Sequence, residues 1–375
     1  MKIALVHDYL NQMGGAERVL LALHDLYPDA PIYTSLYDPA RVDPAFQHMD
    51  VRPSFMQRLP FARHHHQPFL LLYPFAFERW DLRSYDLVLS SSSAFAKGVI
   101  TRPDALHICY CHTPMRWAWN YQEYVQRERL GPLVRWLLPF AMTPLRLWDQ
   151  MSAMRVDYFI ANSPTVAQRV AKYYRRSAAI IPPPVATSSY AIAPVQDDYF
   201  LIVSRLIPYK RLDLAIEAFN HLRLPLKIIG EGRDRRRLER LAGPTIEFLG
   251  RLPDAQVRLM LARCQALIHP GEEDFGLAPL EAQASGRPVI AYAGGGALTS
   301  IIEGVTGVFF RERSAWSLAE AVCSFKAANF DPQTIRRHAE EFDLVRFQRR
   351  IGQFIAAKLA ASETPDPEEE QVQQH

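Results

Sequence analysis

The sequence predicts an α/β protein of two domains, each a doubly wound, mostly parallel sheet, and three observations lead there. Short apolar runs alternate with loop and helix patterns along both halves of the 375 residues. A Pro-rich segment, PPPVATSSYAIAPVQDD, interrupts the alternation near the middle and can continue neither a helix nor a central strand. The length also suits two units, at roughly 100–200 residues per domain.

In the first half, Lys2 to His7 is a strand-like run. A polar loop with Gly14 and Gly15 follows, then AERVLLALHDL, whose Val and Leu positions repeat at helical spacing. Further strand-like runs stand at Leu87 to Ser90, Leu106 to Cys111 and Tyr158 to Ala161, each succeeded by loop or helix. After the break the pattern restarts: YFLIVS with RLDLAIEAFNHL, LKIIG with EGRDRRRLERLAG, and IEFLG with AQVRLMLARC. ALIHP with GEEDFGLAPLEAQASG and PVIAY with GGG complete it. In such a domain ligands bind at the carboxyl ends of the strands. The expected boundaries are 1–185 and 186–341 for the two domains and 342–361 for a helix packing back toward the first. The tail 362–375 is poor in apolar residues and is expected to be disordered.

Composition excludes several classes. The 49% hydrophobic and 22% charged residues are those of an ordinary folded chain. A net charge of +3 does not suggest a nucleic-acid partner, which needs basic residues clustered on one face. The four cysteines form no disulfide framework, and the opening MKIALVHDYL turns polar at once, so the expected location is the cytoplasm. No apolar run is long enough to span a bilayer. Two shorter stretches, QPFLLLYPFAFERW (67–80) and GPLVRWLLPFAMTPLRLW (131–148), suit core and cleft helices; their alternative use is peripheral attachment to a membrane surface.

The loops after the second-half strands carry the chemistry. HPGEEDFGLAPLEAQASG places Glu273 on a loop and Glu281 early on the following helix, so the two can face one ligand from different directions. An acid/base pair, a metal cage, a substrate grip and a complement to the helix dipole are all open to them. Amides of Phe275, Gly276 and Leu277 at the helix start favour an anion. RLIPYKRLD sets Arg205, Lys210 and Arg211 at a strand end, a combination that suits phosphate. Gly14-Gly15, Gly230-Glu231-Gly232 and Gly294 to Gly296 each follow a strand, yet none completes a dinucleotide fingerprint, which disfavours a nicotinamide oxidoreductase. In HICYCHTP, His107, Cys109 and Cys111 match no common zinc spacing and read as buried strand, whereas His112 ends the strand where it can enter a cleft. The run His64 to His66 reads as a loop, and no metal site is expected.

Together MGGAERV, CHTP, ANS, VSRLIPYKRLD, IGEG, FLGRL and GEEDFGLAPLEAQASGRPVIA resemble family 4 glycosyltransferases of the two-domain GT-B architecture. That resemblance implies retaining transfer of a sugar from a nucleotide diphosphate sugar held by the second domain to an acceptor held by the first. It implies that Arg205 and Lys210 clamp the diphosphate, Glu273 holds sugar hydroxyls with amides of Phe275 to Leu277, and Glu281 binds the ribose. It implies that His112 lies near the reacting carbon and Gly15 near the phosphate or the acceptor. Gly230, Glu231, Gly232 and Arg251 border the nucleotide, and Gly14 and Ser163 face the acceptor. The family pattern needs neither metal nor cofactor. One departure is Thr299, which stands where many relatives carry Glu. HDYLNQMGGAERV, YTSLYD and CHTPMRWAW are similar to enzymes of O-antigen and polysaccharide assembly, which implies GDP-mannose as donor and a glycan or lipid-linked glycan as acceptor. A UDP-sugar donor, a GT-B sugar-nucleotide epimerase and a non-catalytic sugar-binding scaffold are the alternatives.

Overall fold

The computed structural model describes residues 1–63, 67–120 and 132–363. The His64 to His66 run and residues 364–375 of the expected tail lie outside them. The first sheet contains β1 (Ile3–His7), β2 (Ile32–Thr34), β3 (Val51–Pro53), β4 (Leu87–Ser92), β5 (Leu106–Cys111), β6 (Tyr158–Ala161) and β7 (Ala178–Ile180). Their order is β3-β2-β1-β4-β5-β6-β7, with every pair parallel. The second contains β8 (Phe200–Val203), β9 (Leu226–Ile229), β10 (Ile246–Gly250), β11 (Leu267–His269), β12 (Val289–Tyr292) and β13 (Gly307–Phe310). Their order is β10-β9-β8-β11-β12-β13, again all parallel. Each sheet reverses its winding once, between β1 and β4 and between β8 and β11. Crevices for ligands open at the carboxyl ends of those strands.

The sequence pattern explains these strands. β4 and β5 are buried along their whole length, so they read as unbroken apolar or small-residue runs instead of alternating ones. The same burial accounts for the HICYC segment: His107 bonds Ser90 Oγ at 2.9 Å, and burial pushes the Cys109 thiol up to about 12. The strands missed in the sequence, β2, β3 and β7, have three residues each, too few to show a period. β13, with four, was missed as well.

The chain returns to the first domain after the second. Val185 pairs with Asp343, the Thr187 hydroxyl donates to the Asp343 carboxylate, and the helix Leu344–Glu363 then packs Phe347, Ile351 and Ile355 beside Leu20 and Leu23 of the helix Gly15–Leu26. Burying each of those three side chains stabilises the fold by about 1.5–3 kcal/mol.

The apolar stretches divide between core and surface. Tyr73 and Phe77 of the helix Tyr73–Glu78 are buried, as are Met142 and Leu145 of the helix Pro132–Ala153. Beneath that longer helix the buried Asp149 pairs with Lys97 and accepts from Trp119 Nε1 at 2.7 Å and from the Tyr174 hydroxyl at 2.9 Å. Paired in this way, the buried charges hold the helix at one rotation. Its outer face shows Trp136, Phe140, Leu147 and Met151, all exposed, and Met154 just past its end is exposed as well. These positions recur at helical spacing and form one stripe. No helix among the described residues is long and apolar enough to cross a membrane.

Candidate active site

The second domain supplies a cation pair and two carboxylates at its switch point. Arg205 and Lys210 stand on the loop after β8, and Glu273 on the loop after β11, the neighbouring strand. Lys210 Nζ pairs with Glu273, and His269 Nε2 lies 3.6 Å from the same carboxylate. Burial works against the Glu273 charge, but Lys210, His269 and Arg205 outweigh it and hold the carboxyl down to about 2. Glu273 is therefore a fixed anion, suited to accepting hydrogen bonds and unsuited to delivering a proton near neutral pH.

Glycines fix this constellation by packing on its backbone. A Cβ on Gly230, whose φ is +133°, would stand 1.9 Å from Ser204 O, and one on Gly232 2.2 Å from Leu206 O. The GEG turn therefore abuts the backbone on either side of Arg205. A Cβ on Gly295 would stand 2.1 Å from Glu273 O, and the Gly296 amide donates to that same oxygen at 2.8 Å. The GGG turn thus carries the Glu273 loop from behind, and Thr299 follows it, half-buried, on the short helix Ala297–Ser300.

The first domain faces this with a buried polar line. Glu17 lies 3.8 Å from His7 Nε2; His7 Nδ1 is 3.1 Å from Ser91 Oγ; and Ser91 Oγ is 2.8 Å from His112 Nε2. All four residues are buried. Burial, with His7 nearby, holds the His112 imidazole down to about 3, so it is neutral at ordinary pH and one nitrogen is committed to Ser91. Beside this line the Asp8 carboxylate accepts from the amides of Ser93, Ala94, Phe95 and Ala96 at 2.5–3.0 Å, which fixes the loop after β4.

Several contacts join the domains across the cleft. Arg205 donates to Gln12 at 3.2 Å; Gly15 lies so close to Leu277 that a Cβ would stand 3.3 Å from its Cδ1. Arg18, on the helix behind Gly15, pairs with the buried Glu281, which also bonds Tyr190. Arg169 pairs with Asp274, whose carbonyl accepts from Ser163 Oγ at 2.7 Å.

Two sequence profiles divide the chain between them: that of Glycosyltransferase Family 4 matches residues 13–189, and that of Glycosyl transferases group 1 matches residues 191–341. The chain is a family 4 glycosyltransferase. Among solved structures it is similar to sucrose-phosphate synthase from Thermosynechococcus elongatus, with TM-score 0.76 and 17% identity, covering 96% of this chain and 100% of that one. Anabaena HepE in complex with UDP gives TM-score 0.69 and 18% identity, covering 95% and 100%. These likenesses establish the GT-B fold. Among curated sequences, the D-inositol 3-phosphate glycosyltransferase of Geodermatophilus obscurus is 28% identical over 57% of this chain and 55% of its own length. The chain therefore spans about half of that relative. The α-1,3/1,6-mannosyltransferase ALG2 of Dictyostelium discoideum is 23% identical over 82% of this chain and 85% of its own.

In this glycosyltransferase the structure brings Arg205, Lys210, Glu273, Glu281, Gly15 and Leu277 to one cleft, with His112 at the carboxyl end of β5 opposite. Ser163, expected to meet the acceptor, is fully buried; it caps the helix Pro164–Tyr174 through Val166 N at 3.2 Å and ties down Asp274. Glu231 pairs with Arg235 one helical turn on. Gly230 and Gly232 are set by backbone packing on the Arg205 loop, and Phe275 is buried against Leu280 and Val185. Gly14 is extended and precedes the helix Gly15–Leu26, and Arg251 stands exposed at the end of β10. The sequence reading missed Arg18, Tyr190, His269 and the His7–Ser91 line. Arg18 lies inside the MGGAERV motif, the one signal that pointed to it.

Proposed function

We propose that the protein is a retaining hexosyltransferase that moves mannose from GDP-mannose to a glycan or lipid-linked glycan. The observation that carries the reading is the convergence of Arg205 and Lys210 with the fixed anion Glu273 at the switch point of the second sheet. The cations neutralise the departing diphosphate, and Glu273 accepts from hydroxyls of the sugar. The bond from the anomeric carbon to the diphosphate breaks, a bond from that carbon to an acceptor oxygen forms, and the acceptor's proton passes to the leaving phosphate. His112, held neutral by burial and oriented by Ser91, offers its other nitrogen to the sugar. Glu281 receives the ribose when Arg18 releases it. The mannosyl assignment is supported by the likeness to ALG2 mannosyltransferases over most of both chains.

A UDP-sugar donor is the second reading, favoured by the fold shared with HepE, which was solved with UDP-glucose. A thermal-shift panel of GDP-, UDP- and ADP-sugars separates them, since a ligand that binds the folded state alone raises its stability by about 2.7 kcal/mol at a hundredfold excess over Kd. Greatest stabilisation by GDP-mannose is expected; greater stabilisation by a UDP-sugar would reject the mannosyl reading.

We also infer peripheral attachment to the inner face of the membrane; the exposed stripe of Trp136, Phe140, Leu147, Met151 and Met154 supports this reading, with Phe75 and Leu71 also exposed on the same domain. Sedimentation with anionic vesicles should carry the protein down, and Trp136→Ser with Phe140→Ser should leave it in the supernatant. Equal pelleting of the two proteins would refute the stripe's role.

A further inference from the structure

We propose that a second anion site, separate from the donor diphosphate clamp, takes a phosphoryl group of the acceptor. The inference rests on the transferase reading above. A pocket lined mostly by polar and charged side chains opens between the domains. Four of its walls are guanidiniums: Arg116 and Arg169 from the first domain, Arg211 and Arg313 from the second. Arg205, Lys210 and Glu273 do not line it.

The loop after β11 separates the two sites. Glu273 turns to Lys210 in the donor cleft, whereas Glu272 lines the pocket, where it pairs with Arg313. Asp274 pairs with Arg169 and lies 3.7 Å from Arg116, and Asp213 lies 3.1 Å from Arg211. Among the described residues, four guanidiniums thus meet three carboxylates around this pocket.

Two of the cations also lie over tyrosine rings. Arg116 lies 4.8 Å over the Tyr209 ring and Arg313 5.0 Å over the Tyr292 ring, one from each domain. The tyrosine face steadies each guanidinium, whose fork of N–H donors suits phosphate oxygens in pairs. A neutral sugar hydroxyl needs no such pair. A phosphate ester or diphosphate on the acceptor does, and on entering it would take over donors now shared with Glu272 and Asp274, the residues on either side of Glu273. The chemistry is the same whether the phosphoryl group belongs to a soluble sugar phosphate or to a lipid headgroup.

The test is calorimetric titration of inorganic pyrophosphate into the full chain already saturated with GDP, so that the donor clamp is occupied. Binding is expected to remain in the wild type and in Arg205→Gln, and to weaken at least about tenfold in Arg313→Gln and in Arg116→Gln, the loss of one charge-assisted pair. Arg313 is 44% exposed, so its variant should keep the wild-type Tm. No pyrophosphate binding to the GDP-saturated chain, or binding unaltered in Arg313→Gln, would overturn the proposal. GDP titrated alone into the wild type tests the donor reading separately. Should GDP not bind, the Arg205→Gln, Lys210→Gln double variant reads the pocket without it. A parallel arm adds vesicles of phosphatidylglycerol: weaker sedimentation of Arg313→Gln assigns the phosphoryl group to a lipid, and unchanged sedimentation assigns it to a soluble ester.

Discussion

The Lys210–Glu273 pair gives the account its most quantitative prediction. Glu273 is held from an ordinary 4.5 down to about 2 although burial opposes its charge. At about 1.4 kcal/mol per unit, that depression corresponds to roughly 3 kcal/mol of stability at neutral pH. Lys210 is the largest of the groups that lower it, ahead of His269, with Arg205 a smaller contributor. About 2 kcal/mol is therefore expected for the coupling between Lys210 and Glu273. Lys210→Met alone leaves Glu273 charged in a site where it is only 18% exposed, and should destabilise the fold by about that amount. Adding Glu273→Gln should recover most of the loss. A double-mutant cycle by urea unfolding at pH 7 reads the coupling directly. The same Lys210→Met variant should lose about 10²–10³ in kcat, the usual cost of removing a preorganised charge from the transition state. A coupling below about 0.5 kcal/mol would show that the pair is a surface contact. Unchanged turnover would remove Lys210 from the mechanism.

Three further outcomes are expected. Ser91→Ala breaks the line that orients His112 and should lower kcat about tenfold, as loss of one hydrogen bond does, with a smaller change in donor KM; an unaltered kcat would leave the line purely structural. Gly295→Ala places a Cβ 2.1 Å from Glu273 O at φ +59° and should cost at least about 2 kcal/mol in urea unfolding, whereas Gly352→Ala, where a Cβ meets nothing, should stabilise its helix by about 0.5–1 kcal/mol. Equal midpoints for the two variants would contradict the packing argument. His107 and His112 are held down to about 4 and about 3 by burial, so below pH 6.5 the unfolded chain takes up protons that the folded one refuses. Stability should fall progressively from pH 6.5 toward pH 4, and a flat denaturation midpoint over that window would refute the burial of both rings.

Much of the fold was legible because its central strands are buried on both faces and stand out as apolar runs. The short strands β2, β3 and β7 were not, since pairing with a neighbour, and not their own pattern, makes them strands. In the site, Arg205, Lys210, Glu273 and Glu281 were legible from their place after strands. What the sequence could not show is who answers them: Arg18 for Glu281 is 263 positions away, and Gln12 for Arg205 is 193. The GGG and GEG turns looked like ligand contacts, yet their absent side chains make room for backbone. Glu272 and Asp274 had no role in the sequence; the fold turns them from the donor cleft toward the arginines Arg313, Arg116 and Arg169.

The central claim is that fixed cations, without a metal or a protein base, drive a transfer that retains configuration. Proton NMR of GDP-mannose turnover by the full chain in excess EDTA tests it most directly. The account predicts α-mannose as the first-formed anomer, at a rate unaffected by the chelator and lost in Lys210→Met; first-formed β-mannose, or turnover abolished by EDTA, would contradict it.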